Sequence, residues 1–390
     1  MLPPPSSSAE CPPPQQQRGF TLIELLVAML LGLVTVLVVA QVMLMAESRK
    51  RTATSGSDAN TTGAMALYTI ERDAKNAGFG MAANLSALGC EIRAKYGSSA
   101  TQTYILAPVV ITQGASGAPD TITFTASTKE GAPLPTKVTV DHPPQAANFF
   151  VQSALGITEG DLMIAVPPAI GSSNWCSVFQ VTNNTSPGGG NSQGGGQGQN
   201  QVLHNSGQSA WNQPGGQTIF PTPDGYPSGS TLINLGAMSR RTYSVASNSL
   251  NLTWLDTATN TNQTRVIYPQ VIQLQAEYGT DANLADNSVR VTAWTTTTPA
   301  TNDNAGWQAI KAIRVAVVAR SDVYEKDVVT VAGTGNTYST CRASSPRAVC
   351  WAGGAINNLN ANNPGSTDWQ HYRYRVYEAV LPIRNVIWQQ

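Results

Sequence analysis

The sequence is short of charge. Asp, Glu, Lys and Arg make up 12% of its 390 residues, and the 23 basic and 23 acidic side chains cancel. That share is about half of what soluble domains usually carry. No overall field therefore attracts nucleic acid or anionic lipid, and no nucleic-acid partner is predicted. With 34 Gly and many Ser, Thr, Asn and Gln residues, the composition suits a β-rich protein with long polar loops.

Histidine is scarce, and the common catalytic motifs GxSxG, GxxxxGK[ST], HExxH and GxGxxG do not occur. His142, His204 and His371 are each predicted to be structural or solvated. The segment DANLADN (281–287) has oxygen ligands for Ca²⁺, but it lacks the order of an EF-hand loop and is predicted to be a polar hairpin loop. We predict a non-enzymatic protein without a catalytic residue, metal or cofactor.

Cysteine is limited to five residues, of which Cys11 lies before the long apolar run. The remaining four, Cys90, Cys176, Cys341 and Cys350, suit disulfide pairing outside the cytoplasm. Cys341 and Cys350 enclose a short loop and are the favoured pair, which leaves Cys90 with Cys176. Four cysteines allow three pairings, and four free thiols are the alternative. The spacings contain no CxxC, so no zinc site is predicted.

One long apolar run is present, from Leu25 to Ala46, interrupted only by Thr35 and Gln41. As a helix, these residues would rise about 33 Å, enough to cross a bilayer core of about 30 Å. Apolar residues occur on every side, which favours a membrane span over a buried helix of a soluble protein. The proline-rich leader before the run, residues 1–19, lacks the order of a secretory signal peptide.

Behind the run, residues 47–79 are predicted to be a second helical part that ends at Gly78 as a C-terminal cap. Leu67, Ile70, Glu71, Ala74 and Ala77 fall at helical spacing, and this part of the helix is predicted to have a narrow apolar stripe. Residues 80–390 show period-two alternation and are predicted to form a β-rich domain, with a hairpin that turns near Ser247 and Asn248.

The low-complexity segment PGGGNSQGGGQGQNQ (187–201) cannot bury apolar surface and is predicted to be a flexible loop. Two arrangements are compatible with it. The loop divides the β region into lobes 80–185 and 201–390, or it is an insertion within one sheet.

Glu24 stands at the head of the apolar run, five residues after Gly19. Inside hydrocarbon, an ionised Glu costs roughly 2.5 to 3.5 kcal/mol, so a positive partner is expected. If the chain is cut after Gly19, the new amine of Phe20 supplies that charge. In a bundle of parallel helices this amine can meet Glu24 of a neighbouring subunit, so Glu24 is predicted to set the register between subunits.

The order Arg18, Gly19, Phe20, Glu24 and a long apolar tail resembles the class III signal of type IV prepilins and type II secretion pseudopilins. In that family, a membrane prepilin peptidase cleaves after the Gly and methylates the new Phe amine, and the Glu serves entry into the filament. The resemblance implies cleavage between Gly19 and Phe20, N-methylation of Phe20 and a subunit-assembly role for Glu24.

Four further segments resemble PilW-type minor pilins. They are ALYTIERDAKNAGFG (66–80), QAEYGTD (275–281), WQAIKAIRVAVVARS (307–321) and YRVYEAVLPIRN (374–385). The resemblance implies an α+β fold, in which a long N-terminal pilin helix packs on a β-rich globular domain of antiparallel sheet. Residues 20–46, the first part of that helix, are expected to be the transmembrane and assembly helix.

As a type IV minor pilin, the chain is expected to prime or cap filament assembly. The implied partners are a prepilin peptidase, other minor and major pilins, the inner-membrane assembly platform and a tip adhesin. The implied location is the bacterial inner membrane, in a single pass with the globular domain in the periplasm, and then the pilus or its tip. Adhesion and twitching motility are downstream roles that the family implies.

Two alternatives share or borrow the same leader: a minor pseudopilin of a type II secretion system, and a membrane-anchored hydrolase or surface binding protein. The charges around the span favour the opposite orientation, because Arg49, Lys50 and Arg51 follow it while Arg18 and the initiator amine precede it. The cleavage signal and the four cysteines favour a globular domain outside the cytoplasm.

Overall fold

The computed structural model describes residues 19–130, 134–182, 200–212, 219–284, 289–360 and 366–388. The chain divides into two compact units, one ending at Thr54 and the other beginning at Ser55. Helix α1 (Leu22–Asn76) contributes to both. The second unit carries nearly all of the β-structure, so the predicted α+β class, an N-terminal helix followed by antiparallel sheets, is confirmed.

Within the second unit, α1 packs through a stripe of mostly small side chains. Ile70, Ala74 and Ala77 are fully buried, as their spacing predicts, whereas Leu67 is half-buried. Glu71 turns toward solvent, where its carboxylate accepts from Lys75 at 2.7 Å. The helix is followed by Gly78 at φ +79°, a conformation that favours glycine, so the predicted cap is confirmed.

A six-stranded sheet is buried on both faces, which explains continuous apolar strands such as Leu162–Val166. Its strands are antiparallel except for one parallel pair, formed by Glu91–Ala94 and Cys176–Gln180. In spatial order they are β2 (Gln102–Ile105), β1 (Glu91–Ala94), β8 (Cys176–Gln180), β7 (Leu162–Val166), β10 (Thr231–Gly236) and β5 (Thr136–Lys137).

A five-stranded antiparallel sheet has one hairpin that the sequence predicts. Ser247 and Asn248 both have positive φ, at 51° and 55°, as a two-residue hairpin turn requires. They connect strands Ser239–Ala246 and Ser249–Asp256, and Ala246 pairs with Ser249 across the turn. The spatial order is β13 (Thr261–Pro269), β12 (Ser249–Asp256), β11 (Ser239–Ala246), β4 (Thr121–Ala126) and β3 (Val109–Thr112).

A four-stranded antiparallel sheet completes the large elements, and together with the five-stranded sheet it forms one core with the second part of α1. Its strands in spatial order are β15 (Ala293–Thr295), β14 (Val271–Thr280), β16 (Ile310–Arg320) and β19 (Tyr374–Pro382). Strand β15 is short, because residues 289–292, which precede it, are not in a strand.

The remaining elements are short. Two strand pairs are β6 (Asn148–Phe150) with β9 (Gln201–Leu203) and β17 (Cys350–Trp351) with β18 (Gly354–Ala355). The short helices are α2 (Asn304–Gln308), α3 (Tyr338–Ser344) and α4 (Arg384–Ile387), and 3₁₀ turns lie at Leu85–Ala87, Ala115–Gly117 and Asp368–His371.

Most of the Gly-rich segment 187–201 lies outside the described residues, but the strands on either side of it decide between the two arrangements. Strand β10 follows the segment and pairs with β7, which precedes it. Strand β6 likewise precedes the segment and pairs with β9, which begins at Gln201, where the segment ends. The segment is therefore an insertion within one sheet structure, and the two-lobe arrangement is wrong.

Both predicted disulfide bonds are present. Cys90, just before β1, bonds to Cys176 at the start of β8, and Cys341 in α3 bonds to Cys350 in β17. The two loops that they close span 86 and 9 residues of sequence.

Candidate functional site

The cleavage and assembly residues surround the start of α1. Gly19 and Phe20 precede the helix and are exposed. Thr21 caps it, because the Thr21 hydroxyl accepts a hydrogen bond from the Glu24 backbone N–H at 3.3 Å. The Thr21 carbonyl also accepts from the Leu25 N–H at 3.1 Å. The side-chain bond engages the Glu24 N–H, one of the first-turn amides that have no partner within the helix, and the Leu25 bond is the first regular bond of the helix.

Glu24 occupies the third helical position after this cap. Ser or Thr at the cap with Glu three residues later is the sequence pattern of a capping box, of which the structure contains the Thr21 half. An acidic side chain in the first turn also interacts favourably with the positive end of the helix dipole. The sequence reasoning missed this role, although the T-x-x-E spacing carries the signal. Glu24 thus helps its own helix to start, apart from any role between subunits.

The apolar part of α1 has the length and composition of a membrane span. The stretch Leu22–Glu47 is long and apolar enough to cross a membrane, and its side chains are exposed. Thr35 interrupts the run without an unpaired hydroxyl, because it donates to the carbonyls of Leu31 and Gly32 at 3.0 and 2.8 Å. A satisfied hydroxyl suits a hydrocarbon environment.

Farther along α1, Asp73 fixes the helix to the five-stranded sheet. Its side chain is only 7% exposed and accepts from the Arg241 guanidinium at 3.0 and 3.2 Å and from the Tyr243 hydroxyl at 2.6 Å. Burial, followed by the hydrogen bond to Asp73, raises the pKa of Tyr243 far above its usual value. The tyrosine therefore remains a neutral donor to the carboxylate.

The four PilW-like segments come together in this unit. The segment 66–80 forms the end of α1, and the other three supply β14, α2 with β16, and β19 with α4. These three strands are neighbours in one sheet. The segment around α4 contacts the C-terminal end of α1, because the Asn385 side-chain amide donates to the Ala77 carbonyl at 2.9 Å.

Two of the three histidines meet in the fold. His142 and His204 face each other with their Nε2 atoms 2.8 Å apart, among the rings of Phe149, Phe179 and Phe220. Burial lowers the pKa of His142 to about 4. Burial, then the charge of His142, lowers the pKa of His204 to about 3. Both rings are core side chains. Sequence gave no sign of the pair, because its members are 62 residues apart.

The remaining polar candidates are also engaged in structural contacts. His371 Nδ1 lies 2.8 Å from the Glu325 carbonyl oxygen, with its ring stacked on Tyr324. In DANLADN, of which 285–287 lie outside the described residues, Asp281 is buried and 3.6 Å from the Arg290 guanidinium. Within the described ranges, no group of three or more His, Cys, Asp or Glu side chains is placed to hold a metal ion.

Comparison with known families agrees with this architecture. Residues 14–40 match the family model described as the prokaryotic N-terminal methylation motif. Residues 237–385, from β11 to α4, match the model described as type IV pilus-assembly protein W. A methylation motif leading into an apolar helix, followed by a sheet-rich domain, defines a pilin. The chain is a PilW-type pilin with a prepilin signal, and it is a minor pilin of a type IV pilus.

No curated protein matches the chain. The family nevertheless sets its general role: the protein interacts with other pilins and with the pilus machinery. The prepilin signal and the apolar helix fit membrane anchoring with the globular domain outside.

Proposed function

We propose that the mature chain primes or caps a type IV pilus, starting from the inner membrane with its globular domain in the periplasm. A prepilin peptidase cuts between Gly19 and Phe20 and methylates Phe20. The apolar part of α1 then joins the helix bundle of the filament, where Glu24 pairs with the amine of a neighbouring subunit. The chain acts by associating with other proteins and not by catalysis. It does so first at the assembly platform and then at the pilus tip, where an adhesin can attach.

One observation carries this proposal: a capped helix start with an exposed carboxylate lies within the match to the methylation motif and at the head of an apolar span. A membrane anchor alone does not need a carboxylate there. A filament subunit does, because the carboxylate can pair with the amine of the next subunit and so fix the position of that subunit.

Processing is tested by intact-mass and N-terminal peptide mass spectrometry of the chain from cells with and without prepilin peptidase. The expected mature chain begins at Phe20 and carries one methyl group on its amine. A different first residue, or the same processing in cells without the peptidase, would refute the cleavage proposal.

The role of Glu24 is tested by Glu24→Gln, which keeps the shape of the side chain and removes its charge. The expected result is normal membrane insertion with at least a tenfold lower amount of the chain in sheared pili, measured by immunoblot. Glu71→Gln is the matched control, because Glu71 is a half-buried acid on the same helix, paired with the exposed Lys75. Equal incorporation of both variants would contradict the assembly role.

A further inference from the structure

A groove of about 450 Å³ lies in the second unit between strand β19 and the loop closed by the Cys341–Cys350 disulfide. One wall is β19, which contributes Tyr374, Val376 and Glu378, and the opposite wall is the disulfide loop. The segment at Val329 and Thr330 closes one end, where the Thr330 hydroxyl donates to the Tyr372 carbonyl at 2.7 Å.

The β19 wall presents backbone groups to the groove. In the antiparallel register of β16 with β19, the Ser321 N–H donates to the Arg373 carbonyl at 2.8 Å, and the Ile383 N–H donates to Lys311 at 2.9 Å. Odd-numbered residues of β19 therefore bond to β16. Because the direction alternates along a strand, Tyr374, Val376 and Glu378 direct their N–H and C=O groups to the outer edge. Among the described strands, none pairs with that edge.

The disulfide-loop wall is basic and held in place. Arg342 and Arg347 both lie between the two bonded cysteines and are exposed. The Arg342 guanidinium donates to the Pro346 carbonyl at 2.8 Å, and that of Arg347 donates to the Val328 carbonyl at 2.9 Å. Their anchors are neutral carbonyls, so both positive charges remain uncompensated by any acidic side chain within ion-pair distance in the described ranges.

Besides Arg342 and Arg347, three charged side chains line the groove among the described residues. Arg375 is exposed on β19, and Arg373 is paired with Glu325 at 2.9 Å. Among the described lining residues, Glu378 is the one acidic side chain, and its carboxylate accepts from the Ala352 N–H at 2.9 Å. The groove therefore has net positive charge beside an unpaired strand edge. An exposed strand edge normally invites pairing with another chain.

We propose that this groove binds an extended acidic segment of a partner protein. The segment adds to β19 as an extra strand, through backbone hydrogen bonds to Tyr374, Val376 and Glu378, and its carboxylates lie on Arg342 and Arg347. Strand addition of this kind takes affinity from the backbone and specificity from side chains that alternate toward the wall. The site goes beyond the helix-mediated assembly proposed above, and it does not involve Glu24, so either proposal can fail without the other.

Binding is measured by fluorescence anisotropy on the full mature chain in detergent. The probe is a labelled seven-residue peptide in which Glu and Val alternate, and the comparison peptide has Lys in place of Glu. The Glu peptide is expected to bind at least tenfold more tightly. Arg342→Glu with Arg347→Glu should remove most of that difference, whereas Arg265→Glu, an exposed arginine on strand β13, should leave it unchanged.

Backbone pairing is tested without altering the protein. Two versions of the Glu peptide carry N-methyl groups on alternate amides, shifted by one residue relative to each other. A strand added to β19 bonds through one set of alternate amides only, so one version should lose binding at least tenfold and the other should keep it. Equal affinity for the Glu and Lys peptides, unchanged affinity in the double arginine variant, or equal behaviour of the two methylated peptides would overturn the proposal.

Discussion

At the residue scale, Gly63 allows α1 to approach the four-stranded sheet. A Cβ atom at this position would lie 2.4 Å from ring carbons of Tyr377 and 3.1 Å from the Ala319 side chain. The Tyr377 hydroxyl also lies 2.8 Å from the Asn60 side-chain oxygen, one turn earlier on the helix. A glycine in the middle of a helix is otherwise unfavourable, so its presence here follows from the close contact.

Gly63→Ala is expected to lower the free energy of unfolding of the second unit by about 1 to 3 kcal/mol, since the methyl group forces the helix and Tyr377 apart. Gly56→Ala is the matched control, because a Cβ there meets nothing within 4 Å. It should stabilise the helix by about 0.5 to 1 kcal/mol. Denaturant unfolding in detergent measures both, and a stabilising Gly63→Ala would contradict the close packing.

The His142–His204 pair gives the fold a pH dependence with a defined sign. The two side chains are 1% and 5% exposed, and burial lowers their pKa values to about 4 and about 3, from an ordinary value of 6.5. The unfolded chain therefore binds more protons than the folded chain below pH 6.5. The stability that the neutral rings contribute is complete above pH 6.5 and is lost as pH falls toward the folded pKa values.

With two protons involved, the free energy of unfolding should fall by up to about 2.7 kcal/mol per pH unit between pH 6 and pH 4. His142→Phe with His204→Leu should reduce that slope, because neither replacement takes up a proton. Denaturant unfolding at pH 7, 6, 5 and 4 measures both proteins. The same slope in the variant would show that other groups cause the pH dependence.

Residue roles differ in how far sequence predicts them. Gly19, Phe20 and Glu24 lie within six consecutive residues, so their spacing carries the signal without knowledge of the fold. Gly63 and Tyr377 are distant in sequence, and the constraint on the glycine exists only after the helix and β19 pack together. The histidine pair depends in the same way on where β9 and the bridge between His142 and Tyr226 place their neighbours.

At the element scale, two sequence patterns predicted strands. Alternation of apolar and polar residues marks a strand with one buried face, and a continuous apolar run marks a strand buried on both faces. Strand β4 alternates buried and half-buried residues, and β7 is buried throughout, so both were predictable. Strands β6 and β9 are three residues long, and their pairing partner is provided only by the fold. Such short segments carry too few side chains for a period to be recognised.

The two disulfides should contribute unequally, because they close loops of different length. The separation is 86 residues for Cys90–Cys176 and 9 for Cys341–Cys350. Loop-closure entropy of the unfolded chain then predicts losses of about 4.6 and about 2.6 kcal/mol when each bond is removed. The longer bond also links β1 to β8, neighbours in the six-stranded sheet.

Cys90→Ser with Cys176→Ser should therefore destabilise the second unit more than Cys341→Ser with Cys350→Ser does. The melting temperatures of the two double variants in detergent give the comparison. If the short-loop variant melted lower, strain or packing at α3 would outweigh chain entropy.

At the scale of the whole molecule, strands from both sides of the Gly-rich segment complete each other's sheets. Each disulfide, however, lies entirely on one side of that segment. A chain cut within the segment is thus joined only by non-covalent contacts, among them the β7–β10 ladder and the β6–β9 pair.

A protease recognition sequence inserted after Gly189 should therefore permit cutting without loss of the fold. The two fragments are expected to coelute in gel filtration under native conditions and to separate in denaturant even without a reducing agent. Cutting at an inserted site in the β11–β12 turn, between Ser247 and Asn248, is the comparison that interrupts a tight hairpin. Separation of the first pair of fragments under native conditions would contradict the shared sheet.

The sequence could not decide between two lobes and one sheet, because composition shows where a chain is irregular and not which strands pair across the irregular part. Pairing of β7 with β10 depends on matching apolar faces 60 or more residues apart. The cysteine spacing was more informative, since a short loop between Cys341 and Cys350 limits the geometry of that pair.

The disulfides also limit how far the chain can lengthen under tension. A pilus subunit pulled from its two ends cannot extend the residues enclosed by a covalent bond. At about 3.4 Å per residue, Cys90–Cys176 withholds roughly 290 Å of contour length and Cys341–Cys350 about 30 Å. Even when its sheets are pulled open, a subunit with both disulfides therefore has a shorter extended length than a reduced one. The loop that carries Arg342 and Arg347 remains closed.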